Sequence, residues 1–525
     1  MNSFERKELK RAQESRENWK KKAMDRNVEL RKERQKTRDL AKSRATWRGR
    51  FFSVKKEWEQ TTLPVSPFPT PVVNIQQLYF IMVSICINLT INCSVSFRSV
   101  PKILSVFANL FRRLGIPFQL AIPHFTTVIN WTLRAGKYIL EANLKPSLKP
   151  WICIMDHTIQ VGTKKALVVL RVPIKALRPS GALTLKDVEV ICLKVQEKCN
   201  GSIVKNIIES LFKTVGFPLQ IVMDGGPDIN KGVRLFAEKM NYPFKITYDI
   251  THLVANLLKK KYVSHYIFNN LLSQMAQSKN KIQQTAFSYL IPLKERSKSR
   301  FLNLPSIAKW TQQIMEYLEA LSKNKQSSQV MLHFSWMFEY QDFLKDFWQE
   351  IRILADIQKL LKQITLNELN YKRASRLIEQ IIDTALRIPL LDYLKAEFEI
   401  AKNSPYRLLL TSDVIESLFG KYKNIAKIHS LSEINRIILS LPCIPENITP
   451  ELIQEAFTHT LNKDAQQWIQ EEISETLLSK RRKALGRSNS PKTAAQIINF
   501  LPQNNPLENT YPNGQKTVET TQALG

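Results

Sequence analysis

Three carboxylates, far apart in the chain, stand where a strand or a helix would present them. Asp156 closes the apolar run 151–155, Asp224 closes the run 219–223, and Glu416 follows Val414 and Ile415 in a helical pattern opened by Ser412 and Asp413. An acid at the end of a buried strand offers a hard oxygen ligand at the margin of a core. Three such ligands from separate elements suit two Mg²⁺ ions and phosphodiester chemistry, since Mg²⁺ takes oxygen donors and paired ions can flank a scissile phosphate. Gly225 and Gly226 leave room for a sharp turn after the second acid. Plainer readings stand beside this one. An acid at a strand end is often only a surface group, and Asp413, one turn before Glu416, offers a second carboxylate on the same helix.

Other residues nearby carry weaker signals. Asp228 is placed to cap the helix that follows Asp224, and Asp249 or Thr251 is placed to cap another. Lys421 and Lys423 follow Glu416 by one and two turns; they could hold DNA phosphates or form an ordinary solvated face. Trp336, in the cluster 333–338, could stack on an extruded base, although aromatic residues at helical spacing usually form core.

The elements that must position these groups are legible from residue 148 onward. Three apolar runs with short links, 151–156, 166–172 and 187–195, read as an antiparallel meander. A helical pattern over 203–215 ends at Gly216, a common helix terminator. A fourth strand over 217–224, a helix over 228–240 and a fifth strand over 244–248 complete the order β-β-β-α-β-α-β. This is an α/β mixed sheet whose later strands are joined by helical crossovers.

The flanking segments have different textures. The chain has 525 residues, 44% hydrophobic and 23% charged, with 77 Lys+Arg against 46 Asp+Glu and a formal net charge of +31. That excess points to a polyanionic partner, nucleic acid first. Residues 1–62 read as a basic helical or coiled-coil arm, with 18 Lys/Arg and 8 Asp/Glu in the first 50 positions. Residues 63–72 form a Pro-rich linker. The segment 73–147 reads as helical, with pieces beginning near 96 and 121 that could form a helix-turn-helix. The core is placed at 148–255, a helical insertion at 256–405, the helix with the third acid at 406–440, further helices at 441–485, and a polar, disordered tail at 486–525. The stretch 78–91 is apolar but short for a membrane span, so a buried helix is expected and no membrane partner. The N-terminus has no apolar signal region. The six cysteines show no zinc spacing and fall in apolar runs, which predicts buried free thiols in a reducing compartment.

The strand order and the motifs 155–158, 223–226 and 415–423 resemble the ribonuclease H-like core of DDE transposases and retroviral-type integrases, and in particular bacterial insertion-sequence transposases. The resemblance covers roughly residues 75–440. The second and third acids lie 192 residues apart, which is similar to members carrying an all-helical insertion. The resemblance implies a DNA transposase in which Asp156 bridges two Mg²⁺ or Mn²⁺ ions while Asp224 and Glu416 each hold one. It implies His252 beside the scissile strand, and a homodimer that synapses double-stranded element ends, then joins them to target DNA in a bacterial cytoplasm at the nucleoid. A nuclease of the same fold that only hydrolyses, and a transposase-derived DNA-binding protein without activity, are the alternatives.

Overall fold

A computed structural model describes residues 75–115, 121–178, 182–240, 245–292, 301, 304–323, 329–363, 366–427, 432–473, a few positions to 481, and scattered positions between 16 and 49. Those scattered positions are helical and exposed; most of the basic arm, the Pro-rich linker and the polar tail lie outside the described residues. The chain divides into two compact units, residues 1–73 with 109–118, and residues 74–108 with 119–525. The sheet and every candidate site residue belong to the second.

The meander forms as its alternating apolar residues require. Strands β1 (Trp151–Ile159), β2 (Lys165–Pro173) and β3 (Glu189–Gln196) pair antiparallel. Helix α4 (Gly201–Val215) then crosses over to β4 (Gln220–Met223), and α5 (Pro227–Met240) to β5 (Lys245–Tyr248). Both β4 and β5 run parallel to β1, giving the spatial order β3-β2-β1-β4-β5. Gly216 ends α4 at φ +90°, a backbone conformation that suits a residue without Cβ.

The two faces of the sheet bury different sets of residues. Ile152, Ile154 and Val168 face a layer built from α1 (Ile75–Ile91), α3 (Phe125–Ala142), α13 (Asp413–Ile425), a 3₁₀ helix at Arg436–Cys443, α14 (Pro450–His459) and α15 (Asn462–Ile473). Cys153, Met155 and Val169 face α4 and α5. This is the alternation of side chains along a strand, with each face buried under helices. A separate core holds a helical block: α6 (Ile250–Tyr262), α7 (Tyr266–Ile282), α8 (Leu304–Lys323), α9 (Gln329–Phe334), α10 (Gln341–Gln363), α11 (Glu368–Glu379) and α12 (Thr384–Lys402).

The apolar stretch near residue 80 is helix α1, buried through Val83, Cys86, Ile87 and Ile91, and no helix among the described residues is long and apolar enough to cross a membrane. The two pieces that suggested a helix-turn-helix are α2 (Val100–Arg113) and α3. Helix α3 is a packing element: only Thr126 and Glu141 along it are exposed. At Gly136 an added Cβ would lie 1.9 Å from the Leu439 carbonyl oxygen, so the helix meets the 3₁₀ segment backbone to backbone. The expectation of buried cysteines needs correction. Cys86, Cys153, Cys192 and Cys443 are buried, but Cys93 is exposed in the turn after α1, and Cys199 is half-buried in the loop before α4.

Candidate functional site

The pairing of β1 with β4 brings the first two acids level. Met155 is in register with Met223 in a parallel ladder, so the next residues, Asp156 and Asp224, emerge side by side. Asp156 sits on the strand and is deeply enclosed. Burial, reinforced by the charge of Asp224, pushes its carboxyl up to about 8. Two carboxylates drawn together away from water cannot both ionise cheaply unless a cation joins them.

Asp224 begins the turn between β4 and α5, and the backbone is shaped for it. Its Oδ1 accepts a hydrogen bond from the Gly226 N–H at 2.9 Å. Gly225 stands at φ +78°, and a Cβ there would lie 2.2 Å from the Tyr248 ring. Any other residue at 225 would be strained in its backbone and would displace the tyrosine.

Glu416 arrives from the other end of the chain. Helix α13 buries Val414, Ile415, Leu418, Phe419 and Tyr422 against the sheet and turns Glu416 outward. There its Oε1 meets His252 Nε2 at 3.0 Å. Burial alone would lower the imidazole's pKa. The bond to Glu416 and the charges of Asp249, Glu416 and Asp224 outweigh it and raise the group to about 9. These charges favour the protonated imidazolium, the form that donates to Glu416, and both aspartates act on it. Asp413 has other partners: Thr251 Oγ1 donates to it at 3.1 Å and Lys362 Nζ pairs with it at 2.6 Å.

The junction that sets His252 and Glu416 beside each other is Asp249, a fully buried carboxylate. Its Oδ1 accepts from the backbone N–H groups of Thr251 (2.5 Å) and His252 (3.1 Å), capping α6. Its Oδ2 accepts from the Ser412 N–H, the Ser412 hydroxyl (2.6 Å) and the Thr411 hydroxyl (3.3 Å). One carboxylate therefore fastens the starts of both helices. A cap at Asp249 was readable in the sequence. Its second set of partners, some 160 residues later, left no local signal, and Ser412 turns its hydroxyl to Asp249 instead of capping its own helix.

A cavity of about 450 Å³ opens beside Glu416, walled by Val254, Leu258, Ile351, Leu354 and Phe301, with Lys362 and Asp413 at its edge. A neighbouring cavity of about 330 Å³ is lined by Arg178, Lys359, Lys362 and Arg407. Lys421 and Lys423 are exposed on α13. Trp336 spends its indole N–H on the Ser278 hydroxyl (2.9 Å) and the His333 carbonyl (3.0 Å) and packs against the core of the helical block. Asp228, in the first turn of α5, pairs with Lys165 at 2.5 Å.

No protein-family model matches the chain and no curated protein is similar to it. Among solved structures it is similar to a Drosophila P element transposase strand transfer complex, with a TM-score of 0.33 and 12% identity over 74% of this chain and 93% of that one. At that TM-score the likeness bears on neither the chemistry nor the partners of this chain.

Proposed function

We propose that this chain is a metal-dependent DNA transposase with an RNase H-like core, cutting element ends and transferring their 3′-hydroxyls into target DNA. The observation that carries the reading is the pair Asp156 and Asp224, level on adjacent parallel strands, with His252 near enough to interact with both and hydrogen-bonded to Glu416. The succession β-β-β-α-β-α-β and the helical block between the second Asp and the Glu agree with it, as does the net charge of +31.

The donor set fits hard divalent cations: three carboxylates from three elements, two of them side by side where burial and the charge of Asp224 push the Asp156 carboxyl up. Asp156, Asp224 and Glu416 would hold two Mg²⁺ or Mn²⁺ ions, which supply a polarised phosphodiester and an activated hydroxyl nucleophile. The protein's own part is positional. His252, as imidazolium, orients the Glu416 carboxylate and adds positive charge where a DNA phosphate would lie. Asp249 holds the two helices that carry them. Arg178, Lys359 and Arg407 beside the site offer phosphate contacts that position a duplex without reading it.

The test uses labelled DNA ends from the element that encodes the chain, purified full-length protein and Mg²⁺. Cleavage and joining are expected from the parent. Asp156→Asn, Asp224→Asn and Glu416→Gln should each lose both steps, by at least about 10²–10³-fold, while binding DNA normally. His252→Ala should be milder. Cleavage without joining would make the protein a nuclease. Undiminished cleavage by Asp156→Asn would refute the two-metal reading, and binding without cleavage by the parent would leave a DNA-binding protein.

A further inference from the structure

We propose that the chain holds a second kind of metal site, taking Zn²⁺ through His157, Cys199 and Asp228 on the side of the sheet opposite Asp156. It does not depend on the phosphodiester reading. His157 follows Asp156 on β1, so its side chain points to the other face, where Cys153 and Met155 meet α4 and α5. Cys199 sits in the loop just before α4, whose start is fixed by the Asn200 side chain capping Ile203. Asp228 lies in the first turn of α5. A strand, a loop and a helix therefore deliver a nitrogen, a sulfur and an oxygen whose ligand atoms all lie within 4.8 Å of one another.

The sulfur–nitrogen spacing is compatible with a shared metal. A tetrahedral zinc with bonds of about 2.3 Å to sulfur and 2.0–2.1 Å to nitrogen sets those two atoms about 3.5 Å apart. Cys199 Sγ and His157 Nε2 are 3.4 Å apart. The mixed donors also select the ion, since thiolate and imidazole favour zinc over magnesium or calcium. On binding, the Cys199 thiol gives its proton to solvent, and the thiolate and the Asp228 carboxylate then balance the charge of the ion. His157 coordinates as neutral imidazole through Nε2 and keeps its proton on Nδ1, with water as fourth ligand.

Lys165 Nζ also holds one oxygen of Asp228 at 2.5 Å. A carboxylate has two oxygens, so it can serve the lysine and the ion together; without metal, the same atoms form an ion pair beside a thiol–imidazole contact. Such an ion would tie β1, one residue beyond Asp156, to the helix that begins just after Asp224. Its role would be to stiffen the backbone beneath both acids.

The discriminating experiment is Co²⁺ titration of the metal-stripped full-length protein, followed optically, with zinc stoichiometry by mass spectrometry. A thiolate-to-cobalt charge-transfer band is expected at one equivalent, with Zn²⁺ displacing Co²⁺. Such a band cannot come from an all-carboxylate site. Cys199→Ser should abolish it, and His157→Gln and Asp228→Asn should weaken cobalt affinity by more than about tenfold. Cys93→Ser and Asp156→Asn should retain it. No band in the parent, or a band that survives Cys199→Ser, would overturn the proposal. Should Cys199→Ser fail to fold by circular dichroism, His157→Gln carries the same test.

Discussion

Replacing Asp249 by Asn would separate positioning from chemistry. The carboxylate accepts five hydrogen bonds and is fully buried. Asn keeps the shape but turns one accepting oxygen into a donating NH₂. If that group faces α6, the Thr251 and His252 N–H groups lose their acceptor. If it faces α13, the Ser412 N–H does, while the two hydroxyls can rotate to accept. At least one backbone donor is therefore orphaned, at about 1–3 kcal/mol, and the surviving bonds lose their charge assistance, roughly 1 kcal/mol more. The helix α6 N-terminus also loses a compensating charge, about 0.5 kcal/mol. The expected loss is about 3 kcal/mol in urea unfolding. Cleavage should fall about 10²-fold in conditions where the variant is folded, because His252 and Glu416 both begin at this junction and a displacement of about 1 Å has that effect. Asp413→Asn removes only a half-exposed pair with Lys362 and should cost under about 1 kcal/mol. Stability within about 0.5 kcal/mol of the parent would refute the hydrogen-bond accounting, and a destabilised variant with full cleavage would refute the positioning role.

Other expectations follow from groups on the page. Asp156 is raised to about 8 by burial and by Asp224, so ionising it costs stability as pH rises from about 4 toward 8; Asp156→Asn, without metal, should melt higher than the parent at pH 8 and equally near pH 4. Mg²⁺ should stabilise the parent in the same thermal scans and have little effect on the variant. Glu397 on α12 is buried, accepts from the Thr247 hydroxyl at 3.0 Å, and is raised by burial to about 7. Its neutral form suits the fold, so stability falls between pH 4.5 and 7, and Glu397→Gln should gain up to about 3 kcal/mol at pH 8 and little at pH 4.5 in urea titrations. Deleting residues 1–62 should lower DNA affinity and flatten its salt dependence in fluorescence anisotropy, since 18 Lys/Arg lie in the first 50 positions; an unchanged slope would assign the arm elsewhere.

The strands were legible because a buried strand is a run of apolar residues. Cys153, Met155, Ile221 and Met223 carry that signal. Asp224 follows the last residue of β4, whereas Asp156, expected at a strand end, lies inside β1, which continues to Ile159. The register of β1 on β4, which sets Asp156 level with Asp224, was not legible, because parallel neighbours joined through a helix leave no turn to count from. The contact of His252 with Glu416 and the double duty of Asp249 span more than 160 residues, beyond any periodicity. Cys199 looked like one more apolar position, and only the fold brings it to His157.

The helical block leaves the sheet and returns to it at one place. Ile250 donates its N–H to the Leu410 carbonyl at 3.0 Å, and Gln220 clasps both the N–H and the carbonyl of Leu409. To the sheet, the intervening residues are a hairpin, however many they are. Closing a loop of roughly 160 disordered residues would cost about 4–5 kcal/mol of chain entropy. A lobe with its own core brings its two ends together as it folds and removes most of that cost. The consequence is one of timing. A chain emerging from the ribosome carries Asp156 and Asp224 some 190 residues before Glu416 is made, and the helix that bears Glu416 starts where the lobe returns to the sheet.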